Sequence, residues 1–342
     1  MRMENNSKSL KLVELADRAN KQYNQSMKLI QQQFQIENHQ AGSRLDQALH
    51  QLLPDYSRSK IQDWIVQGFV NLNHRPCKSK QKVFHGDLVD LDVPEQAVIE
   101  DKPQVVEFEI LYEDEDIFIV NKPANLVVHP AAGHADGTLV NGLLERDPKL
   151  DQLPRAGIVH RLDKDTTGVM MVARNLSAHN WLVEELQQRR VKREYIAIAL
   201  GVITAGRSIE TGIARHPVNR KKMSVQEKGK PALTHFQVAR KFRHYSLVKV
   251  QLETGRTHQI RVHMAHIRHA LLGDSLYAGR LQMPAGIGEL LRSQIQGFKR
   301  QALHAQKLSF EHPRSRQPVS FEAPLPDDFE HLLQALIEDE HA

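Results

Sequence analysis

The chain has 342 residues, 40% of them hydrophobic and 25% charged, and 46 Lys+Arg against 41 Asp+Glu leave a net charge of +5. That length can bury more than one hydrophobic core, and that composition excludes a disordered or fibrous chain. A single cysteine, Cys77, excludes an internal disulfide framework, and the lack of any 18-residue apolar run excludes a membrane-crossing helix.

The opening MRMENNSKSLKL has no apolar core of the kind a signal peptide needs, so the expectation is a cytoplasmic protein with no membrane partner. Residues 1–38 are polar. Leu12, Ala16, Ala19, Tyr23, Met27, Ile30 and Phe34 recur at three- and four-residue intervals without Pro or Gly, which predicts either one amphipathic helix or an extension without function. Met27 offers an alternative start, since the text after it reads like an ordinary domain beginning.

Residues 43–93 read as a compact unit. SRLDQALHQLL offers Ser43 as an N-cap and a Leu45/Leu49/Leu52 stripe, with Pro54 as its stop. SRSKIQDWIVQG repeats the design with Ile61, Trp64 and Ile65 and closes on Gly68 as C-cap. FVNLN and HGDLVDLDV then alternate like short strands, and between them lie Arg75, Lys78, Lys80 and Lys82 with no acid. Two helices followed by a basic hairpin make a surface matched to phosphates; the bland alternative is a solvated charged face.

Residues 94–107, PEQAVIEDKPQVVE, read as an acidic, Pro-punctuated linker. From 108 to 326 short apolar runs predict strands at DIFIVN, GVMMVAR, EYIAIALG, THFQVAR, YSLVKVQLE and ALHAQKLSF, and SAHNWLVEELQQ predicts a helix. Successive strands often lack an intervening helix, so the expected class is α+β with a mixed, largely antiparallel sheet. Residues 327–342 are expected to form a C-terminal helix or tail.

One loop carries too much charge for a connection. Between the apolar runs of GIVHRLDKDTTGVMMVAR stand His160, Arg161, Asp163, Lys164 and Asp165. A carboxylate among cations stays ionised even when partly desolvated. It can be a nucleophile, a general base, a metal ligand or half of a structural ion pair. Residues 189–230 hold eleven Lys/Arg against three acids, a footprint suited to a polyanion. LETGRTHQIRVHMAHI then runs from a strand through a Gly turn into a helix, with Arg256 and Arg261 five apart.

HRLDKDTTG, KREY and TGRTHQIRVH, in this order, resemble the motifs of the RluA-type pseudouridine synthases. The similarity extends through NKPANLVVHP and RQALHA. The 43–93 unit resembles the ribosomal-protein-type RNA-binding domain found ahead of that catalytic fold. Roughly residues 36–330 are covered, and HALLGD departs from the family's usual HPLLGD, so that Ala270 loses a fixed φ.

The resemblance implies an α+β pseudouridine-synthase fold that isomerises uridine in RNA without metal or cofactor. It points to bacterial large-subunit ribosomal RNA as the partner, with transfer RNA as the alternative, and to a monomer. By motif, Asp163 is the attacking aspartate, Tyr195 stacks on the flipped uracil and Arg261 pairs with Asp163. Arg161 fills the position that the base vacates, and Arg256 joins Arg75, Lys78, Lys80 and Lys82 as RNA contacts.

Two rivals come from other classes. DKDTT fits the D-x-D-x-T pattern of magnesium-dependent phosphotransferases, although HRL separates it from the preceding strand and Gly168 opens another apolar run directly after it. A non-catalytic RNA-binding assembly factor is the other. His263, His266 and His269 have helical spacing, but there is no HExxH and no cysteine pair, so no metal site is expected.

Overall fold

A computed structural model describes residues 29–53, 56, 58–94, 102–130, 136–280 and 282–340. The chain divides into two compact units, residues 1–100 and 101–342. The part of the expected N-terminal helix that covers residues 1–28 lies outside the described residues.

The first unit comprises β1 (Leu29–Gln35), α1 (Leu45–Leu52), α2 (Arg58–Val66), β2 (Val70–Leu72), β3 (Arg75–Pro76) and β4 (Leu88–Pro94), with an antiparallel sheet ordered β1-β4-β2-β3. Residues 29–35, read from the sequence as helix, are therefore strand. Phe34 and Ile36 also stand at the two-residue spacing of a strand, and β4 supplies backbone partners that an isolated helix would lack. Gln31 and Gln33 pair across the strands with Asp92 and Asp90 and donate side-chain hydrogen bonds to them, of 3.1 and 2.8 Å. Phe34 packs against the core, and Ile36 just beyond the strand is fully buried.

Ser43 does not cap α1. Its hydroxyl donates to the Gln40 carbonyl at 2.6 Å, and Arg44 takes the N-cap position, its N–H reaching Gln47 Oε1. The side chain of Arg44 instead clamps Asp46 through Nε and NH2, both at 2.9 Å. Leu45, Leu49, Ile61, Trp64 and Ile65 are buried together with Val70, Val89 and Leu91, and Gly68 at φ +82° ends the second helical segment.

The second unit is built on one sheet. Its elements are β5 (Glu109–Glu113), β6 (Ile117–Lys122), α3 (Leu139–Arg146), β7 (Thr167–Ala173), α4 (Leu176–Gln187), β8 (Lys192–Leu200), β9 (Arg207–Arg215), β10 (Met223–Val225), β11 (Lys230–Lys241), β12 (Tyr245–Leu252), α5 (Gln259–His266), α6 (Glu289–Gly297), β13 (Leu303–Glu311), β14 (Pro318–Glu322) and α7 (Asp327–Glu340). The order is β10-β9-β11-β12-β8-β13-β7-β6-β5, with β14 on β13. Among the described strands only β13 and β7 run parallel, so the sheet is mixed and largely antiparallel. Every residue of β7 is buried, as a strand covered on both faces requires.

Alternation on β8 sorts its side chains into two cores. Tyr195, Ala197 and Ala199 join the cluster that holds Leu162, Ile260 and Met264; Ile196 and Ile198 join α6 and α7 through Leu291, Ile295, Phe329, Leu332 and Leu336. Tyr195 thus shares a side of the sheet with the loop before β7 and with α5. Residues 102–107, read as linker, are tied to α3: Asn141 Nδ2 donates to the Lys102 carbonyl and Gln104 N–H to the Asn141 carbonyl.

Candidate active site

The charged loop leads straight into β7. Thr166 N–H closes a turn on the Asp163 carbonyl at 3.1 Å. Three side chains from elsewhere fix its backbone and its rim. Lys122, at the end of β6, donates from Nζ to the carbonyls of Pro123 (2.7 Å), Leu126 (3.0 Å) and Lys164 (2.8 Å). Gln301 Nε2 donates to Thr166 Oγ1 at 3.0 Å, and Arg300, itself held by Asp328, reaches the Asp165 carbonyl at 3.4 Å. Burial pulls the Lys122 ammonium down to about 7, opposed by the charges of Asp165 and Asp163. Its three donors meet three acceptors.

His160 accepts the Met171 N–H at Nε2 and is pushed down to about 3 by burial, with Arg193 adding to the effect. Gly168 sits at φ +113°, and a Cβ there would lie 2.2 Å from the Ala305 carbonyl oxygen, so the parallel β7–β13 contact depends on glycine. Ala305 pairs with Gly168 on one side and with Tyr195 on the other. That register sets Tyr195 two strands from the start of β7, about 10 Å across the sheet.

Asp163 Oδ2 accepts a hydrogen bond of 3.0 Å from Arg261 NH1, and the Asp163 side chain is 16% exposed. Arg261 stands in the first turn of α5. Its Nε and NH2 donate to Asp274 Oδ2 and Oδ1 at 2.7 and 2.9 Å, a bidentate pair with a fully buried carboxylate. Burial opposes the charge on Arg261, but Asp274 and Asp163 outweigh it and hold its pKa above the usual range. Asp163 Oδ1 accepts no hydrogen bond among the described residues; the His258 ring faces it, with Nε2 at 3.9 Å. Tyr195 is 7% exposed, and burial raises its hydroxyl pKa, with Asp163 adding to the rise against Arg193.

The turn before α5 is built by its motif residues. Gln259 Oε1 accepts from Thr254 Oγ1 and from Arg256 N–H, while Nε2 donates to the Leu233 carbonyl and to Thr234 Oγ1. This network fastens the helix start to β11 and fixes where Arg261 begins.

A family model described as RNA pseudouridylate synthase matches residues 116–266, and an S4 domain model matches residues 43–89. The chain is 50% identical over 296 residues to ribosomal large subunit pseudouridine synthase D of Haemophilus ducreyi, covering 86% of this chain and 91% of that one. It is 48% identical over 302 residues to the protein of the same name from Escherichia coli K12, covering 88% and 93%. The chain belongs to the RluA-type pseudouridine synthase family. Human RNA Pseudouridylate Synthase Domain Containing 4 shares the fold, with a TM-score of 0.54 and 24% identity over 67% of this chain and 92% of that one.

Within this pseudouridine synthase, Asp163 and Arg261 are in direct contact and Tyr195 lies on the same side of the sheet. Arg161 is exposed and makes no hydrogen bond or ion pair among the described residues. Arg256 is exposed too, its Nε donating to the Pro231 carbonyl at 3.1 Å. Arg75, Lys78, Lys80 and Lys82 are exposed on the first unit. Among the described residues, several of the eleven cations in 189–230 are engaged: Arg190 pairs with Glu185, buried Arg193 donates to the Leu252 and Glu253 carbonyls, Arg215 donates to the Arg220 carbonyl, and Lys222 lies over the Tyr277 ring.

The three histidines of α5 and its exit diverge. His263 is buried between Thr234 and Thr211, His266 is exposed, and His269 meets the Leu200 carbonyl. Asp114, Asp116 and His312 come within metal-ligand spacing of one another, but Tyr112, Asn175 and Arg314 already satisfy their oxygens.

Sequence reading missed Asp274, Lys122, His258 and Tyr277. A lysine ending the apolar run IFIVNK was the one trace of Lys122, and nothing local in HALLGD tied its acid to the site.

Proposed function

We propose that this pseudouridine synthase acts on uridines of large-subunit ribosomal RNA, with Asp163 as nucleophile, Arg261 as its ion-pair partner and Tyr195 as the platform for the flipped base. The reaction breaks the N1–C1′ bond and forms C5–C1′; C5 loses a proton and N1 gains one, so no atom is lost. The observation that carries the assignment is the asymmetry at Asp163. Arg261 holds Oδ2 alone, which orients the carboxylate while leaving Oδ1 unbonded for attack. Attack on the sugar C1′ and on the base C6 can both use that oxygen.

Arg161 has the exposure and freedom needed to enter the stack that the base leaves. Arg256 and the four cations Arg75, Lys78, Lys80 and Lys82 supply phosphate contacts that fix orientation without reading bases. The choice of RNA rests on relatives at 48–50% identity named for the large ribosomal subunit. A ribosomal RNA substrate carries a cytoplasmic location with it, and a cluster drawn from one chain is what a monomer requires.

The test has two arms. Asp163→Asn should bind RNA normally and release tritium from C5-labelled uridine at least roughly a thousandfold more slowly; turnover within about tenfold of wild type would remove Asp163 from its role. Mapping pseudouridine in all RNA of a strain lacking the protein should show gaps in large-subunit ribosomal RNA. Gaps confined to transfer RNA would overturn the substrate.

A further inference from the structure

We propose that His258 and Tyr277 are positioning residues for Asp163, linked in a hydrogen-bond relay that runs from the basic β9–β10 hairpin to the carboxylate oxygen that Arg261 leaves free. The proposal rests on Asp163 being the nucleophile.

The relay has a direction. Met223 N–H, at the start of β10, donates to Tyr277 Oη at 2.8 Å, and Tyr277 Oη lies 2.8 Å from His258 Nδ1. His258 Nε2 in turn faces Asp163 Oδ1 at 3.9 Å. A lone pair on Nε2 would confront a carboxylate, so the proton belongs on Nε2. Nδ1 is then the acceptor, and the tyrosine hydroxyl donates to it. Burial lowers the pKa of His258 against the pull of Asp163, which suits a neutral ring with one N–H. Every donor in the chain points toward Asp163.

Two features hold the parts. Asp274, the carboxylate that clamps Arg261, also accepts the backbone N–H groups of Leu276 and Tyr277 at 3.0 and 3.1 Å. One buried acid therefore sets both arms that address Asp163, Arg261 at Oδ2 and Tyr277–His258 at Oδ1. The Tyr277 ring lies under the Arg261 guanidinium at 5.0 Å and under Lys222 Nζ at 5.9 Å. His258 itself has a left-handed backbone, φ 56°, at the N-cap of α5, which turns its ring toward the loop.

The 3.9 Å gap is about 1 Å too long for a hydrogen bond. In the free enzyme the two atoms are thus apart, and a small closure on RNA binding brings Nε2–H to Oδ1, orienting the carboxylate for attack and taking up its charge when it departs again. The closure has a natural trigger. Arg220, Lys221 and Lys222 directly precede Met223, so phosphates gripped by the hairpin act next to the first donor of the relay.

The measurement is the single-turnover rate on saturating RNA, with RNA affinity taken alongside, for His258→Ala, Tyr277→Phe, the double variant and His258→Gln. Tyr277→Phe keeps the ring and removes only the hydroxyl. Both single variants should slow turnover roughly ten- to a hundredfold, the range for one hydrogen bond to a charged group, with affinity within about twofold. The double variant should be no slower than His258→Ala, because one relay cannot be broken twice, and His258→Gln should recover part of the rate. Wild-type rates, multiplying effects, or affinity falling in step with rate would each overturn the relay. Asp163→Asn measured in parallel separates the failures. If it is inactive while His258→Ala is fast, only the relay falls; if Asp163→Asn is fast, the nucleophile assignment falls first.

Discussion

Replacing Asp274 with Asn tests how far the site depends on a residue that never meets substrate. Asp274 is fully buried in its side chain and accepts four N–H groups: Arg261 Nε and NH2, and the backbone amides of Leu276 and Tyr277. Donors face both of its oxygens. An amide in its place must turn its own NH2 against one of them, so neither orientation of Asn restores the set, and the negative charge opposite Arg261 is lost. Breaking a buried pair by removing one partner costs about 3–5 kcal/mol. For a unit of this size that lowers Tm by roughly 6–20 °C. A loosened Arg261 also gives up its single bond to Asp163, worth about 1.5–3 kcal/mol, so the single-turnover rate should fall at least roughly tenfold in the folded fraction. Thermal melts and tritium release on the same preparations measure both. A Tm within about 2 °C of wild type together with an unchanged rate would refute the reasoning, since Arg261 would then be held by something other than Asp274.

Gly168→Ala should destabilise the second unit by at least about 2 kcal/mol, read in denaturant, because its Cβ would meet the Ala305 carbonyl at 2.2 Å on a backbone at φ +113°. Tyr195→Phe should retain RNA affinity and slow the chemistry, whereas Tyr195→Ala should lose about 1–3 kcal/mol of stacking as well; equal wild-type activity in both would leave Tyr195 a core residue only. In the first unit, burial opposes ionisation of Asp46, but hydrogen bonds from Arg44, Gln62 and Arg58 outweigh it and depress its pKa below 3.8. A depressed carboxylate stabilises the fold above its unfolded pKa and loses that contribution as pH falls through the folded value. Asp46→Asn should therefore flatten the acid limb of the stability curve below about pH 4, and an unchanged limb would count against the network.

Legibility followed the range of the interaction. The helix at Leu176–Gln187 and the strand at Thr167–Ala173 were readable because their patterns are local: a capped amphipathic run in one, an unbroken apolar run in the other. β1 was not, because IQQQFQ satisfies both periods and the choice belongs to β4, more than fifty residues away. Ser43 looked like a cap, yet the chain turns at Gln40 and spends the hydroxyl there. At the site, Asp163 drew attention through the density of charge around it. Lys122 left little trace, since its partners are backbone carbonyls, one of them 42 residues on, and a carbonyl carries no sequence signal. Asp274 was hidden differently: nothing in HALLGD says that its acid faces a helix thirteen residues upstream.

Charge arithmetic explains why one arginine serves two carboxylates. A guanidinium given to Asp163 alone could pair with both of its oxygens, satisfying the carboxylate and leaving no lone pair in good position to attack. Here Asp274 takes Nε–H and one N–H of NH2, and NH1 is the one donor that reaches Asp163 among the described contacts. The three groups sum to one negative charge in a partly desolvated pocket. A carboxylate held by one bond on one oxygen sits beside a full positive charge without being matched by it, because that charge is already shared. The same division fixes rotation about the Asp163 side chain: Oδ2 is tethered, so Oδ1 is the oxygen presented. The presentation of Asp163 in this pocket therefore depends on Asp274, which holds Arg261 in place, as much as on Arg261 itself.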